Sequence, residues 1–393
     1  MRKGLLPVFT ALELNIYYQP KKKPKCSQMS QQFPHTGSIF SFRPQHNGRH
    51  AWIDYAKGIA ILFVVYRHVI YGLLYSGVEI NDTMMDANEM LYGFRMPLFF
   101  FLSGLFFSSS QRKYGPKNFA ITKVNTLLYP YLLWCIIQLT LQIMFSEYTN
   151  FKRDAGDYID ILIHPRTMLQ QWYLFALFNT SVLYLFFSQV CRFKAPVQLL
   201  IGLALLSLKP YAGDISTLTD VMMHYVFFAL GDLAAPYFFR EKILDSLTSA
   251  PKALLLLPVF IGIQYYCMKH PGMNIYIYSA MALFGGLLVI ILSLLLAKHE
   301  RLTILRTIGH YSLYIYLLHL GIVFLLRFMV LKTGLQINMP LLTLFLVTAG
   351  IYGSMLLYRV CIRLGMNFLF KGPFKQVNYT PVQGSQPLKP IEN

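Results

Sequence analysis

The sequence predicts an all-α, polytopic integral membrane bundle of about ten transmembrane helices, with both termini cytoplasmic. Three observations carry this. Of the 393 residues, 55% are hydrophobic and only 13% charged, whereas a soluble domain carries roughly 25% charged residues. Apolar windows of about twenty residues, the length that crosses the hydrocarbon layer, recur along the whole chain. The loops between them alternate in positive charge, as short loops of a membrane protein do.

Residues 1–50 form a polar, basic segment with Arg2, Lys3, Lys21, Lys22, Lys23, Lys25, Arg43 and Arg49, and read as a disordered cytoplasmic tail. Glu13 and the KKKPK that follows argue against a cleaved signal peptide. The first span is expected near 52–75, and the loop after it holds Glu79, Asp82 and Asp86 but no Lys or Arg. Further spans are expected near 88–109, 121–145, 170–190 and 196–209, the last cut short by Lys209-Pro210. The remaining five fall near 219–239, 251–268, 275–297, 309–331 and 340–364.

Cations gather at Arg112, Lys113 and Lys117, at Arg192 and Lys194, at Arg240, Lys242 and Lys252, and at Lys298, Arg301 and Arg306. These mark the cytoplasmic loops and call for an even number of spans. A lipid-exposed backbone must satisfy its own hydrogen bonds, so the spans are helices. Residues 51–365 thus make one membrane domain, and 366–393 a cytoplasmic tail that reads as loose from about 371, where Pro373, Pro381, Pro387 and Pro390 recur.

The net charge of +18 belongs to cytoplasmic loops lying against anionic lipid. No nucleic-acid motif accompanies it, so a nucleic-acid partner is not expected. The five cysteines lack metal-ligand spacing, and neither a zinc site nor a disulfide framework is expected. Oligomeric state is not readable from the sequence.

Chemistry concentrates on the first span, AWIDYAKGIAILFVVYRHVIYGLLY. Lys57 and His68 are eleven residues apart, about three helical turns, so they share one face some 16 Å apart. Asp54 starts the same stripe. Ionisable groups at membrane depth are costly and usually face a protein-lined cavity. An imidazole is suited to removing a proton from an alcohol near neutral pH. The plainer alternative is a snorkelling Lys57 and a His68 satisfied by a neighbouring carbonyl.

Arg95, in GFRMPLFFFLSGLFF, lies at about the depth of His68 and either holds an anion or a developing oxyanion, or pairs with an acid such as Glu89. Ser103, next to Gly104, suits close helix packing better than nucleophilic chemistry. Lys123 opens the third span at the cytoplasmic end, and Pro130 is expected to kink that helix. Tyr316 and His319, three apart, are neighbours on one helix face. Trp172, in QQWYLF, fits either an aromatic-belt anchor or a sugar-stacking platform.

DYAKGIAILFVVYRH resembles the first-helix segment of the acyltransferase 3 family of multipass membrane acyltransferases, with Lys57 in place of the commoner Arg. RMPLFFFLSGLFF, WYLFAL and SLYIYLLH are similar to later marks of that family, and the resemblance runs from about 51 to 365. It implies transfer of an acyl group, usually acetyl from acetyl-CoA as co-substrate, to a hydroxyl of a glycan or lipid-linked sugar at the bacterial inner membrane. It implies His68 as catalytic base and Lys57 as a CoA-binding residue. The family's R-x-x-R pair at the third helix is half present, with Lys123 in the first place and Thr126 in the second. Trp172, Tyr316 and His319 become candidates for substrate binding, and Arg95 for a catalytic role. A transporter or flippase of lipid-linked sugars, with the same intramembrane charges lining a route, is the competing class.

Overall fold

In the computed structural model, residues 42, 50–148, 152–334 and 338–378 are described. Most of the expected N-terminal tail, with Cys26, and the end of the C-terminal tail lie outside them.

Every described element is helical. Among the described residues, seven helices are long and apolar enough to cross a membrane: α1 (Ala51–Tyr75), α4 (Phe107–Lys123) continuing into α5 (Tyr129–Met144), α9 (Ser216–Phe238), α11 (Ala250–Lys269), α12 (Ile275–Lys298), α14 (Ser312–Lys332) and α15 (Met339–Arg363). The other expected spans are shorter or more polar helices: α3 (Arg95–Leu105), α7 (Trp172–Gln189) and α8 (Ala195–Leu208). Short connecting helices are α2 (Asp82–Met90), α6 (Asp160–Ile163), α10 (Glu241–Leu247) and α13 (Thr303–His310).

The span expected at 88–109 is not one helix. It breaks after Met90, turns at Tyr92-Gly93, restarts as the eleven-residue α3 and breaks again at Phe106. At 1.5 Å per residue α3 is only about 16 Å long, half of a hydrocarbon layer. At the turn the packing is close: a Cβ on Gly93 would lie 3.2 Å from the Tyr278 hydroxyl, so that side chain would have to give way slightly. The restart places Arg95 at a helix beginning inside the protein, where it is buried.

Pro130 lies just after a change of helix type and not in an unbroken α-helix. Its missing N–H would orphan a carbonyl one turn back, and the chain absorbs this with a π-helical turn over Val124–Leu128. The N-terminal half of the same long element is kinked at Gly115, which has φ 76°.

α1 is central, touching α3, α12, α13, α14 and α15. It meets α13 backbone to backbone: a Cβ on Gly58 would fall 2.0 Å from the Leu305 carbonyl oxygen, and one on Gly309 1.6 Å from that of Asp54. α3 crosses α9 in the same way, through Gly104 against Phe228 and Gly231 against Phe101. Small residues at crossings let membrane helices approach closely. The crossing is tied by Asp232, which accepts hydrogen bonds from Ser108 Oγ at 2.6 Å and from Tyr184 Oη at 2.8 Å.

The tail expected to be loose from about 371 is held as far as Val377. Asn125 accepts from the Phe374 N–H (3.1 Å) and donates to its carbonyl (2.7 Å), and Asn118 does the same with Val377, both at 2.7 Å. The two asparagines are seven residues apart, two helical turns, so one helix face offers two backbone-like partners to an extended segment. Trp134 Nε1 adds a bond to the Leu369 carbonyl at 2.8 Å.

Candidate active site

The residues best suited to chemistry lie where α1, α3, α7, α9 and α14 come together. α1 carries His68, which is half-buried and makes no hydrogen bond among the described residues. Its ring lies 5.3 Å, centroid to centroid, from that of His319 on α14. His319 is fully buried, and its Nδ1 sits 2.7 Å from the Ile315 carbonyl. A carbonyl only accepts, so Nδ1 carries the proton there and a neutral His319 presents Nε2 as a lone pair. That Nε2 has no hydrogen-bond partner among the described residues.

From this pair a row of rings leads outward. Tyr316 lies 6.5 Å from His319, Tyr173 lies 5.6 Å from Tyr316, and Trp172 follows Tyr173 at 6.5 Å. Trp172 is not an open platform. The Arg166 guanidinium covers its ring at 4.4 Å, and His224 lies beside it at 5.5 Å. Trp172 thus also serves as a support for an arginine, a contact that neither reading made from the sequence foresaw. Arg166 in turn pairs with buried Asp220 at 2.5 Å.

Arg95 does not pair with Glu89. It donates from Nη1 to the Phe63 carbonyl of α1 at 2.5 Å and from Nε to the Tyr92 carbonyl at 3.3 Å. Glu89 is engaged by Arg67 at 3.0 Å, Tyr71 at 2.7 Å and Asn88 at 3.0 Å. Arg95 and Arg67 both lie within electrostatic reach of His68.

The candidate donor-side residues sit apart from this group. Lys57 is three turns back along α1, and Asp54, buried one turn earlier, has an Oδ1 with no hydrogen-bond partner among the described residues. Lys123 is half-buried beside the Phe119 ring at 5.1 Å, at the start of the π-helical turn. Ser103 is half-buried next to the Gly104 crossing.

Sequence reasoning missed His224, Tyr173, Arg166 and Asp220. Asp220 and His224 were visible as an i, i+4 pair in the apolar run TDVMMHYVFF, and Asp220's carbonyl does meet His224 Nδ1 at 2.7 Å. Arg166 lies in a loop whose acids and cations mask any signal.

Residues 50–359 match the acyltransferase domain family Acyl_transf_3, which covers most of the chain. Two curated relatives carry the name nodulation protein NolL. That of Mesorhizobium japonicum is 31% identical over 96 residues, 24% of this chain and 26% of the relative. That of Sinorhizobium fredii is 26% identical over 138 residues, 35% of this chain and 36% of the relative. The chain thus spans only about a quarter to a third of the curated relatives it matches. No solved structure matches it. On the extent of the domain match, this chain belongs to the acyltransferase family that Acyl_transf_3 describes, and it is a multi-pass membrane protein built of helices.

Proposed function

We propose that the protein is an O-acetyltransferase of the bacterial inner membrane, moving an acetyl group from cytoplasmic acetyl-CoA to a hydroxyl of a cell-surface polysaccharide or lipid-linked sugar. His68 removes the hydroxyl proton. The sugar oxygen attacks the thioester carbonyl carbon, a C–O bond forms as the C–S bond breaks, and the CoA sulfur leaves with the proton that His68 took up. Lys57 and Lys123 bind the CoA phosphates, and the span of some 16 Å between Lys57 and His68 suits an extended pantetheine arm.

The observation that carries this reading is His68 itself: an imidazole deep in a membrane protein, partly accessible, packed on a second histidine and engaged in no hydrogen bond among the described residues. A structural histidine at that depth would have its nitrogens satisfied. The test compares O-acetyl signals by NMR in surface polysaccharide from cells with the wild-type gene, His68→Ala, or a deletion. Loss of acetyl in both mutants, with His68→Ala still present in the membrane, is the expected result. Unchanged spectra would remove the reading. Release of CoA thiol by purified protein separates an enzyme from a flippase, which consumes no thioester.

A further inference from the structure

Three guanidiniums converge on Tyr92. Arg67 lies 4.0 Å from its ring centroid and Arg95 5.1 Å, and Arg166 is within electrostatic reach of the same side chain. They come from three separate elements: α1, the start of α3, and the loop before α7. Among the described residues, two carboxylates pair with them. Glu89 serves Arg67 at 3.0 Å and Asp220 serves Arg166 at 2.5 Å. Arg95 has neutral carbonyl partners and no ion pair among the described residues. Three cations less two anions leave one positive charge over, and it belongs to the most buried of the three.

A charge held in a protein interior without a counter-ion is strongly unfavourable unless something completes it. The outer members of the cluster are partly exposed: Arg95 is 2% exposed, whereas the side chains of Arg67 and Arg166 are 22% and 45% exposed. Exposure thus rises from Arg95 towards Arg166. The cluster's inner end lies against α1: Arg67 immediately precedes His68 on that helix, and Arg95 bonds the Phe63 carbonyl of the same helix. Aromatic faces under the guanidiniums, Tyr92 for Arg67 and Trp172 for Arg166, keep those planar forks in place while leaving N–H edges available.

From this we infer a built anion site: the Arg67–Arg95–Arg166 cluster around Tyr92 receives a carboxylate or phosphate group on the acceptor sugar, close to the hydroxyl that His68 serves. Rather than a neutral glycan, the acceptor is an acidic one, a uronic acid or a sugar phosphate. The assignment of the ligand as an acceptor rests on the acyl-transfer reading, whereas the anion site does not.

The test is binding to the full-length protein in detergent, read as thermal stabilisation. The probes are methyl glucuronide, glucose-6-phosphate and methyl glucoside, matched sugars that carry a carboxylate, a phosphate or neither, with CoA titrated separately. At least one anionic sugar should bind about tenfold or more tighter than the neutral one, as charge-assisted pairs at buried arginines do. The tighter of the two identifies the group. Arg95→Gln should erase the preference, and Arg95→Lys, which keeps the charge in a fold-compatible form, should retain part of it. CoA binding should be unchanged in both variants. Equal binding of all three sugars to the wild type overturns the site, and so does a parallel loss of CoA binding in Arg95→Lys, which would assign the cluster to the donor. Thiol release from acetyl-CoA is recorded alongside. An anion preference without thiol release keeps the site and removes acyl transfer, while release driven equally by the neutral sugar does the reverse.

Discussion

The two histidines at the centre differ in the work their surroundings allow. His319 is committed through Nδ1 to its own helix, at the Ile315 carbonyl, while the ring of His68 has only a packing contact. In the proposed reaction His68 takes the proton, and His319, anchored through Nδ1 with its ring against that of His68, is assigned the positioning role. A reacting group displaced by about 1 Å can lose up to a hundredfold in rate. His319→Ala is expected to lower acetyl transfer by about ten- to a hundredfold while leaving the KM for acetyl-CoA near the wild-type value; a loss confined to KM would instead place His319 at the donor. Of this site, His68, Arg95, Tyr316 and His319 were legible in the sequence, because ionisable and hydroxyl groups stand out against apolar helices. Arg166 and Asp220 were not, since the pair is 54 residues apart in the chain and only the fold joins it.

At the scale of elements, glycines decide how near the reactive helices stand. Gly58 lies one residue after Lys57, and its lack of a side chain lets α1 and α13 touch through their backbones. A methyl group on Gly309 would have to displace the Asp54 carbonyl, which flexible side-chain motion cannot relieve. Gly309→Ala should cost roughly 1–3 kcal/mol or more in stability, the range for overpacking. It is measurable as a lower melting temperature of the detergent-solubilised protein, while Gly321→Ala, where a Cβ meets open space, serves as the control. An unchanged melting temperature in Gly309→Ala would mean that the helices separate easily and the crossing is not a constraint. Hydropathy located these helices well, yet it could not show that the second span is broken at Tyr92-Gly93 and Phe106. A window average smooths over a two-residue turn, and the polarity of Arg95 was absorbed by the phenylalanines that follow it. The docking of residues 372–377 was hidden for a related reason: it depends on Asn118 and Asn125, which look like ordinary polar residues until their spacing meets an extended strand.

For the molecule as a whole, the short helices settle the topology. Seven long helices alone would leave the two termini on opposite sides, whereas ten crossings return them to the same side. The difference rests on α3, α7 and α8, and α3 is the doubtful member by length, with eleven residues. Charge favours ten: the loop after α1 has three acids and no cation, while the α7–α8 loop carries Arg192 and Lys194 beside exposed Cys191. Between those two loops lie α3, the α4–α5 element and α7, which makes three crossings if α3 counts and two if it does not. Cysteine labelling decides it. With Cys191 as the only cysteine, an impermeant maleimide should fail to label intact cells and should label inverted vesicles, and a lone cysteine replacing Ser76 should behave in the opposite way. Labelling of both positions from one side would show that α3 does not cross as a separate span and that the charge-based count of ten is wrong.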